Sequence, residues 1–377
     1  MPTMRTKPKK AKLTRALGAL AVACALCAAS LAAPVAAQAV PRAFFGIGPQ
    51  THLTEADAER MRAGRIGVVR WPLAWRGVQP TPDGGYQWAG FDEVVRNAAR
   101  QRLRVLPFVY GTPRWAARDW RTLPVNSPRQ RRAWSGFLRA AVERYGPSGT
   151  FWREHSRASG DFVPKLALNE WQVWNEANFF YFAKPATPAP YARLLKISNR
   201  ALKRGDRRVK TILTGLFGEP TARPPRGMDA VDFLARLYRV RGIKASFDGV
   251  ALHPYSETAA SMARMMERMR SLILRNRDPR ARLYLTEFGW GSDNNPNLVS
   301  FEQGVGFQKR EMRRAYRYLI ANRGRLNLKG TYWFTWKDLR GACNFCDSTG
   351  LFREGDRLRP KPAWHAFVGI TGGRARP

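Results

Sequence analysis

Along most of this 377-residue chain, short apolar runs alternate with longer segments whose composition suits amphipathic helices. The runs "FFGIG" (44–48), "IGVVRWPLAW" (66–75), "LRVLPFVYG" (103–111) and "LALNEWQVWNE" (166–176) read as strands. So do "VKTILTGLFG" (209–218), "FDGVALHPYS" (247–256), "ARLYLTEFGWG" (281–291) and "LKGTYWFTWKD" (328–338). Helix-like segments follow them at 54–64, 91–102, 127–146, 188–205, 228–242, 258–277, 301–324 and 361–371. The third of these starts with Ser127 at a cap position and Pro128 in the first turn, and stops at Gly146, which are helix start and stop signals. Eight strands, each followed by a helix, predict a parallel sheet. From Phe45 to Trp333 is 288 residues over seven steps, or about 41 per step. That spacing predicts a single (β/α)8 TIM barrel. An open doubly wound sheet would carry a Gly-rich phosphate turn after its first strand, and "GIGPQTHL" is not one. The Pro/Gly-rich stretches 80–88 and 219–227 read as long loops, and nothing linker-like divides residues 40–377, so one domain is expected there.

The pattern differs at the start. Residues 1–15 hold six basic groups and no acid, an Ala/Leu/Val-rich run extends from Ala16 to about Ala33, and Ala37-Gln38-Ala39 fits a small-x-small cleavage site. Residues 1–39 therefore read as a secretory signal peptide. An uncleaved anchor is the alternative, because the apolar run is near the lower limit for a membrane span. Cleavage leaves 338 residues, expected to be a secreted or envelope-associated monomer with no membrane contact.

Formal charge is +37, of which the leader carries six, leaving +31. The basic residues are scattered rather than blocked, which reads as a solvated cationic surface. Such a surface attracts anionic polysaccharide or cell-wall polymer. There is neither zinc-finger spacing nor an RNA-binding aromatic signature, so no specific nucleic-acid partner is expected. Two cysteines lie in the leader; the others, Cys343 and Cys346, form a C-x-x-C. Two cysteines cannot make a four-ligand zinc site, and in an exported protein a local disulfide is the expectation.

Active sites of such barrels lie at the C-terminal strand ends. Arg70 falls in strand 2, Asn175 and Glu176 end strand 4, His253 and Tyr255 end strand 6, and Glu287 ends strand 7. A carboxylate at the end of an apolar strand is costly to bury unless it is paired or functional. Glu176 and Glu287 are 111 residues apart, three units of 37, and would face each other across the mouth. Paired carboxylates suit glycosidic-bond cleavage, one protonating the leaving oxygen and the other attacking the anomeric carbon or activating water. His253 also fits a packed or capping role. Of thirteen tryptophans, Trp71, Trp75, Trp115, Trp174, Trp290, Trp333 and Trp336 lie near predicted strand ends. They could stack on sugars or fill the core. For Trp333 and Trp336 strand alternation does not decide which lines the site.

The motifs "WNEAN", "HPY", "TEFGW", "RWPLAWRGVQPTPDGGYQWAGFDEVV" and "KPAW", in this order and spacing, resemble the retaining (β/α)8 glycoside hydrolases of clan A, which include families 5 and 39. The likeness covers roughly Phe45 to Phe367. It implies Glu176 as general acid/base and Glu287 as nucleophile. It implies Asn175 as the amide on the sugar 2-hydroxyl, Tyr255 and Arg70 as partners of the nucleophile, and His253 with a strand 8 tryptophan, Trp333 or Trp336, as site lining; Trp290 is expected there from its place near a strand end. No metal or organic cofactor is implied. "FVYGTPRWA" carries Tyr110 and Trp115 where family 5 often has a histidine, and looks closer to family 39. The expected function is retaining hydrolysis of a β-linked polysaccharide or oligosaccharide. Its rivals are a catalytically silent barrel that binds polysaccharide and a cationic structural protein of the envelope.

Overall fold

The computed structural model describes residues 40–294, 301–341, 343 and 347–377. The apolar runs become eight parallel strands: β1 Phe45–Gly48, β2 Val68–Ala74, β3 Arg104–Tyr110, β4 Glu170–Val173, β5 Lys210–Phe217, β6 Gly249–His253, β7 Arg282–Phe288 and β8 Leu328–Phe334. They pair in chain order, and β8 returns to β1 with Trp333 opposite Ile47, closing the barrel. A main helix follows each strand: α1 Glu55–Ala63, α2 Ala89–Arg100, α3 Pro128–Tyr145, α4 Pro188–Gly205, α5 Ala230–Tyr238, α6 Ala259–Arg275, α7 Gly304–Ala321 and α8 Pro362–Thr371. The expected (β/α)8 barrel is the observed fold.

Local chemistry explains where the helices begin. At α1 the Thr54 hydroxyl caps the Asp57 N–H and the Asp57 carboxylate returns to the Thr54 N–H; Ser127 and Gln130 form the same reciprocal box at α3. Each box satisfies two N–H groups that the first turn leaves without partners. Asp57 does more than cap. Fully buried, it also accepts from the Trp336 ring N–H (2.9 Å) and pairs with Lys337 (2.9 Å), tying α1 to the segment after β8.

Inside the barrel, Val68, Leu106, Ile212, Ala251, Tyr284 and Tyr332 pack together. Two tyrosines fit because neighbouring strands present glycines. A Cβ on Gly46 would lie 2.3 Å from the Tyr332 ring, and one on Gly249 would lie 2.5 Å from that of Tyr284. The Tyr284 hydroxyl is satisfied by Glu170 at 2.8 Å, as a buried phenol requires.

Two departures from regular strands aim the polar residues. β4 ends at Val173, three residues short of the expected end. Trp174 then takes a left-handed conformation (φ 71°) and turns its ring outward against Trp134 of α3 (5.9 Å). Glu176 is left-handed too (φ 39°). Such conformations cost about 1–3 kcal/mol each in non-glycine residues and persist only where the surroundings fix them. In β7 the register slips between Leu285 and Phe288, a bulge that sends Thr286 and Glu287 both toward the barrel mouth.

Among the described residues no helix is long and apolar enough to cross a membrane. The expected leader, residues 1–39, and Cys346 of the expected Cys343–Cys346 bridge lie outside the described residues.

Candidate active site

Arg70 organises the mouth. It leaves β2 into the interior, 2% exposed, with its guanidinium 4.0 Å above the Phe108 ring. Its planar fork donates three ways: Nε to Gln172 Oε1 (2.9 Å), Nη1 to Glu287 Oε1 (2.6 Å) and Nη2 to Asn175 Oδ1 (2.7 Å). The Tyr255 hydroxyl donates to the other Glu287 oxygen at 2.9 Å. Both oxygens of this buried carboxylate thus accept strong hydrogen bonds, which favours the ionised form. Asn175 accepts from Arg70 and keeps its NH2 without a partner among the described residues, the donor that a sugar hydroxyl would need.

Glu176 has no such cation in contact. His253 Nδ1 lies 2.8 Å from Glu176 Oε1 and 3.5 Å from Glu287 Oε2, while Nε2 is 3.0 Å from the Thr286 hydroxyl. Burial, aided by the charge of Arg70, pushes the imidazole well below its usual pKa, so the ring is neutral. A single ring proton on Nδ1, donated to Glu176, with the Thr286 hydroxyl donating to Nε2, satisfies both contacts. That arrangement leaves Glu176 Oε2 to carry a mobile proton. A glycine on β5 admits the ring, since a Cβ on Gly215 would lie 2.0 Å from Nε2.

Burial raises both carboxyl pKa values. At Glu176 burial is joined by the negative charge of Glu287 and holds the acid well above the usual carboxylate range. At Glu287 burial is opposed by Arg70 and Tyr255. Of the pair, Glu287 is the carboxylate and Glu176 holds the proton. One donor atom each from Glu176, His253 and Glu287 lies within 4.8 Å of the others, a grouping that a metal ion could bridge. It does not fit a resident cation, because the Arg70 guanidinium already sits against Glu287.

Six of the expected residues, Arg70, Asn175, Glu176, His253, Tyr255 and Glu287, therefore meet in one hydrogen-bonded cluster. The tryptophans do not join it. Trp336 points out of the barrel, with its N–H on Asp57 and its ring edge-on to Trp364 of α8 (5.5 Å). Trp333 packs behind β7 against Phe288 and Trp290 and donates to Thr349 O, and Trp290 donates to Ser256 O. All three rings are buried with their N–H groups satisfied, which corrects the expectation that they line the site. The aromatic that β8 turns inward is Phe334, half-buried and 6.4 Å from Tyr255. Alternation from the inward Tyr332 points to it. Gln172, Thr286 and Phe108 were also missed. The first two are polar residues within apolar strands, the same signal that marked Asn175.

No family model matches the chain and no curated protein sequence does. Solved structures do resemble it. A closed parallel barrel with two buried glutamates at its C-terminal mouth is the architecture of clan A glycoside hydrolases, and that is the fold of this chain. Similar structures include a family 39 glycoside hydrolase from the gut symbiont Bacteroides cellulosilyticus WH2 (TM-score 0.62, 17% identity, covering 89% of this chain and 65% of that one). A monomeric β-xylosidase from Caulobacter crescentus CB15 matches with TM-score 0.62 and 18% identity, over 88% of this chain and 68% of that one. Xylanase 10B from Thermotoga maritima matches with TM-score 0.57 and 14% identity, over 87% and 94%. This chain spans about two thirds of the length of the first two. At these identities what is shared is the fold.

Proposed function

We propose that the chain is a retaining glycoside hydrolase acting on β-linked sugars. The observation that carries this reading is the carboxyl pair: oxygens of Glu176 and Glu287 within 4.8 Å, one group held ionised by Arg70 and Tyr255, the other protonated. Retaining enzymes hold their carboxyls about 5–5.5 Å apart, whereas inverting ones leave room for a water at about 6.5–9.5 Å. In the first step the Glu287 carboxylate bonds to the anomeric carbon as the glycosidic bond breaks, and the leaving oxygen takes the proton of Glu176. In the second step water attacks that carbon, gives its proton to Glu176, and Glu287 departs as carboxylate. Neutral His253 orients Glu176 in both steps, and the NH2 of Asn175 is placed to hold a sugar hydroxyl. The neighbours named for xylosidase and xylanase activity lend support to a β-linked substrate. The basic and apolar leader supports export, so the substrate is met outside the cytoplasm.

The test is a panel of aryl β-glycosides and β-linked polysaccharides with product stereochemistry followed by NMR. Retained configuration is expected, and Glu287→Gln should reduce kcat by several orders of magnitude with an unchanged far-UV spectrum. Inverted product, or near wild-type turnover in that variant, would overturn the mechanism. Binding without turnover across the whole panel would return the chain to the silent-barrel reading.

A further inference from the structure

A line of aromatic rings leads out of the site. Tyr255, the partner of Glu287, is 6.1 Å from Phe217 at the end of β5, and Phe217 stacks on Phe179 (4.9 Å) in the loop after β4. Phe179 meets Tyr181, which stacks on Phe180 (4.4 Å) and is 59% exposed. Here the loop after β5 runs alongside and forms an open surface cavity of about 490 Å³ lined by Phe179, Phe180, Tyr181, Thr221, Arg223 and Arg226. The rim is built rather than loose. Asn178 donates to Phe217 O and Met228 O (both 2.7 Å) and accepts from the Phe217 N–H, stapling the two loops together. Gly227 bridges to Phe179, and its N–H and that of Arg226 close a turn on Arg223 O.

Cationic side chains lie beside these rings. Neighbouring Arg121 and Lys184 share Asp119 (2.8 and 3.7 Å). Arg223 and Arg226 are exposed, and neither pairs with a carboxylate among the described residues. Arg226 instead lies over the Phe180 ring at 4.4 Å, which fixes its guanidinium at the edge of the cavity. The exposed Tyr181 ring beside two exposed guanidiniums matches a sugar ring that carries an anion. We propose that this cavity is a binding subsite for an acidic sugar unit of the polysaccharide that is cleaved at Glu176 and Glu287. The anion is a carboxylate or a sulfate, and both would be read by the same bidentate donors. This rests on the hydrolase reading and specifies its substrate class.

The test is binding to the inactive Glu287→Gln protein, so that hydrolysis does not enter. Probes are β-xylan, β-glucan and β-mannan, each in neutral, carboxylated and sulfated form. At least one acidic form should bind about tenfold or more tightly than its neutral parent. Arg223→Gln with Arg226→Gln should remove most of that preference, and Tyr181→Ala should weaken binding of the same polymer. Arg313→Gln with Arg317→Gln removes equal charge from exposed positions on α7 that have no carboxylate partner among the described residues, and should change little. The carboxylated and sulfated arms identify the anion. No acidic form bound above its neutral parent, or equal losses in the two double variants, overturns the subsite. Separately, cleavage of small neutral aryl glycosides by the wild-type chain tests the hydrolase reading. Turnover there, with no acidic preference in the Glu287→Gln protein that keeps both arginines, leaves the hydrolase standing and removes the subsite.

Discussion

Glu176 sits in a left-handed kink, buried, with its carboxyl against a histidine that burial keeps neutral. Its raised pKa is also a statement about stability. A carboxyl whose folded pKa exceeds its unfolded one contributes stability that is fully present below the unfolded value and is lost as pH rises through the folded one. Ionising Glu176 therefore works against the fold at neutral and alkaline pH. Glu176→Gln mimics the protonated acid, so it should melt higher than the parent at pH 7–8, by roughly 2–4 °C for each kcal/mol relieved, with the gain vanishing toward pH 4.5. The same variant should lose about 10²–10⁴ in kcat/KM, which reports the first step, on glycosides with poor leaving groups, and far less on dinitrophenyl glycosides, whose departure needs no proton. A parent more stable than the variant at pH 8, or equal losses on both substrates, would assign the proton elsewhere. Gly215→Ala would press on His253 from below and should cost about 1–3 kcal/mol in urea unfolding together with a drop in kcat. At this scale the charged and amide residues were legible because a polar group in an apolar strand is costly and so conspicuous. The tryptophans were not, because a large ring with one N–H suits a buried wall as well as a sugar platform, and Trp336 found its hydrogen-bond partner 279 residues away.

The elements themselves were the most readable level. The segment 188–205 was expected as a helix and α4 has those bounds, because Pro in its first turn and Gly205 at its end punctuate a long amphipathic run. β4 was read too long, since "EWQVWNE" stays apolar and aromatic through Trp174 while the backbone has already left the strand. The four-residue helix at 75–78 and the five-residue one at 150–154 are too short to show a helical period in sequence. What no local pattern shows is how α1 is fastened to the end of β8. Asp57 looks like a cap residue and is also, among the described residues, the carboxylate paired with buried Lys337. Removing one partner of a buried pair costs about 3–5 kcal/mol, because the other charge is left without compensation. Asp57→Ala should therefore unfold at markedly lower urea than wild type, while Asp57→Leu with Lys337→Met should recover much of the loss. A double variant no more stable than the single one would mean that the cap, rather than the ion pair, holds this junction.

Taken whole, the molecule is defined by two separate electrostatic regimes. At the mouth, Arg70 is matched by Glu287 within a closed hydrogen-bonded cluster, so the chemistry is insulated from the surface. Outside, the net +31 of residues 40–377 is spread over the helices and forms a long-range field. Such a field is screened over about 8 Å at physiological ionic strength, whereas a direct contact pair lies well inside that length and is screened less. A neutral aryl glycoside reaching the buried pair crosses the field without feeling it; an acidic polymer is drawn in along its whole length. Raising salt from about 0.05 to 0.5 M, which shortens the screening length about threefold, should thus weaken binding of acidic polysaccharide by at least an order of magnitude. Over the same range kcat on a neutral aryl substrate should change less than about twofold. The acidic preference that survives at high salt should be the part that Arg223 and Arg226 supply, and it should disappear when both are replaced by Gln. Isotherms for a neutral and an acidic form of one polymer, at both salt concentrations and in both proteins, separate field from contact. Equal and salt-insensitive binding of the two polymers would leave solubility as the role of the charge.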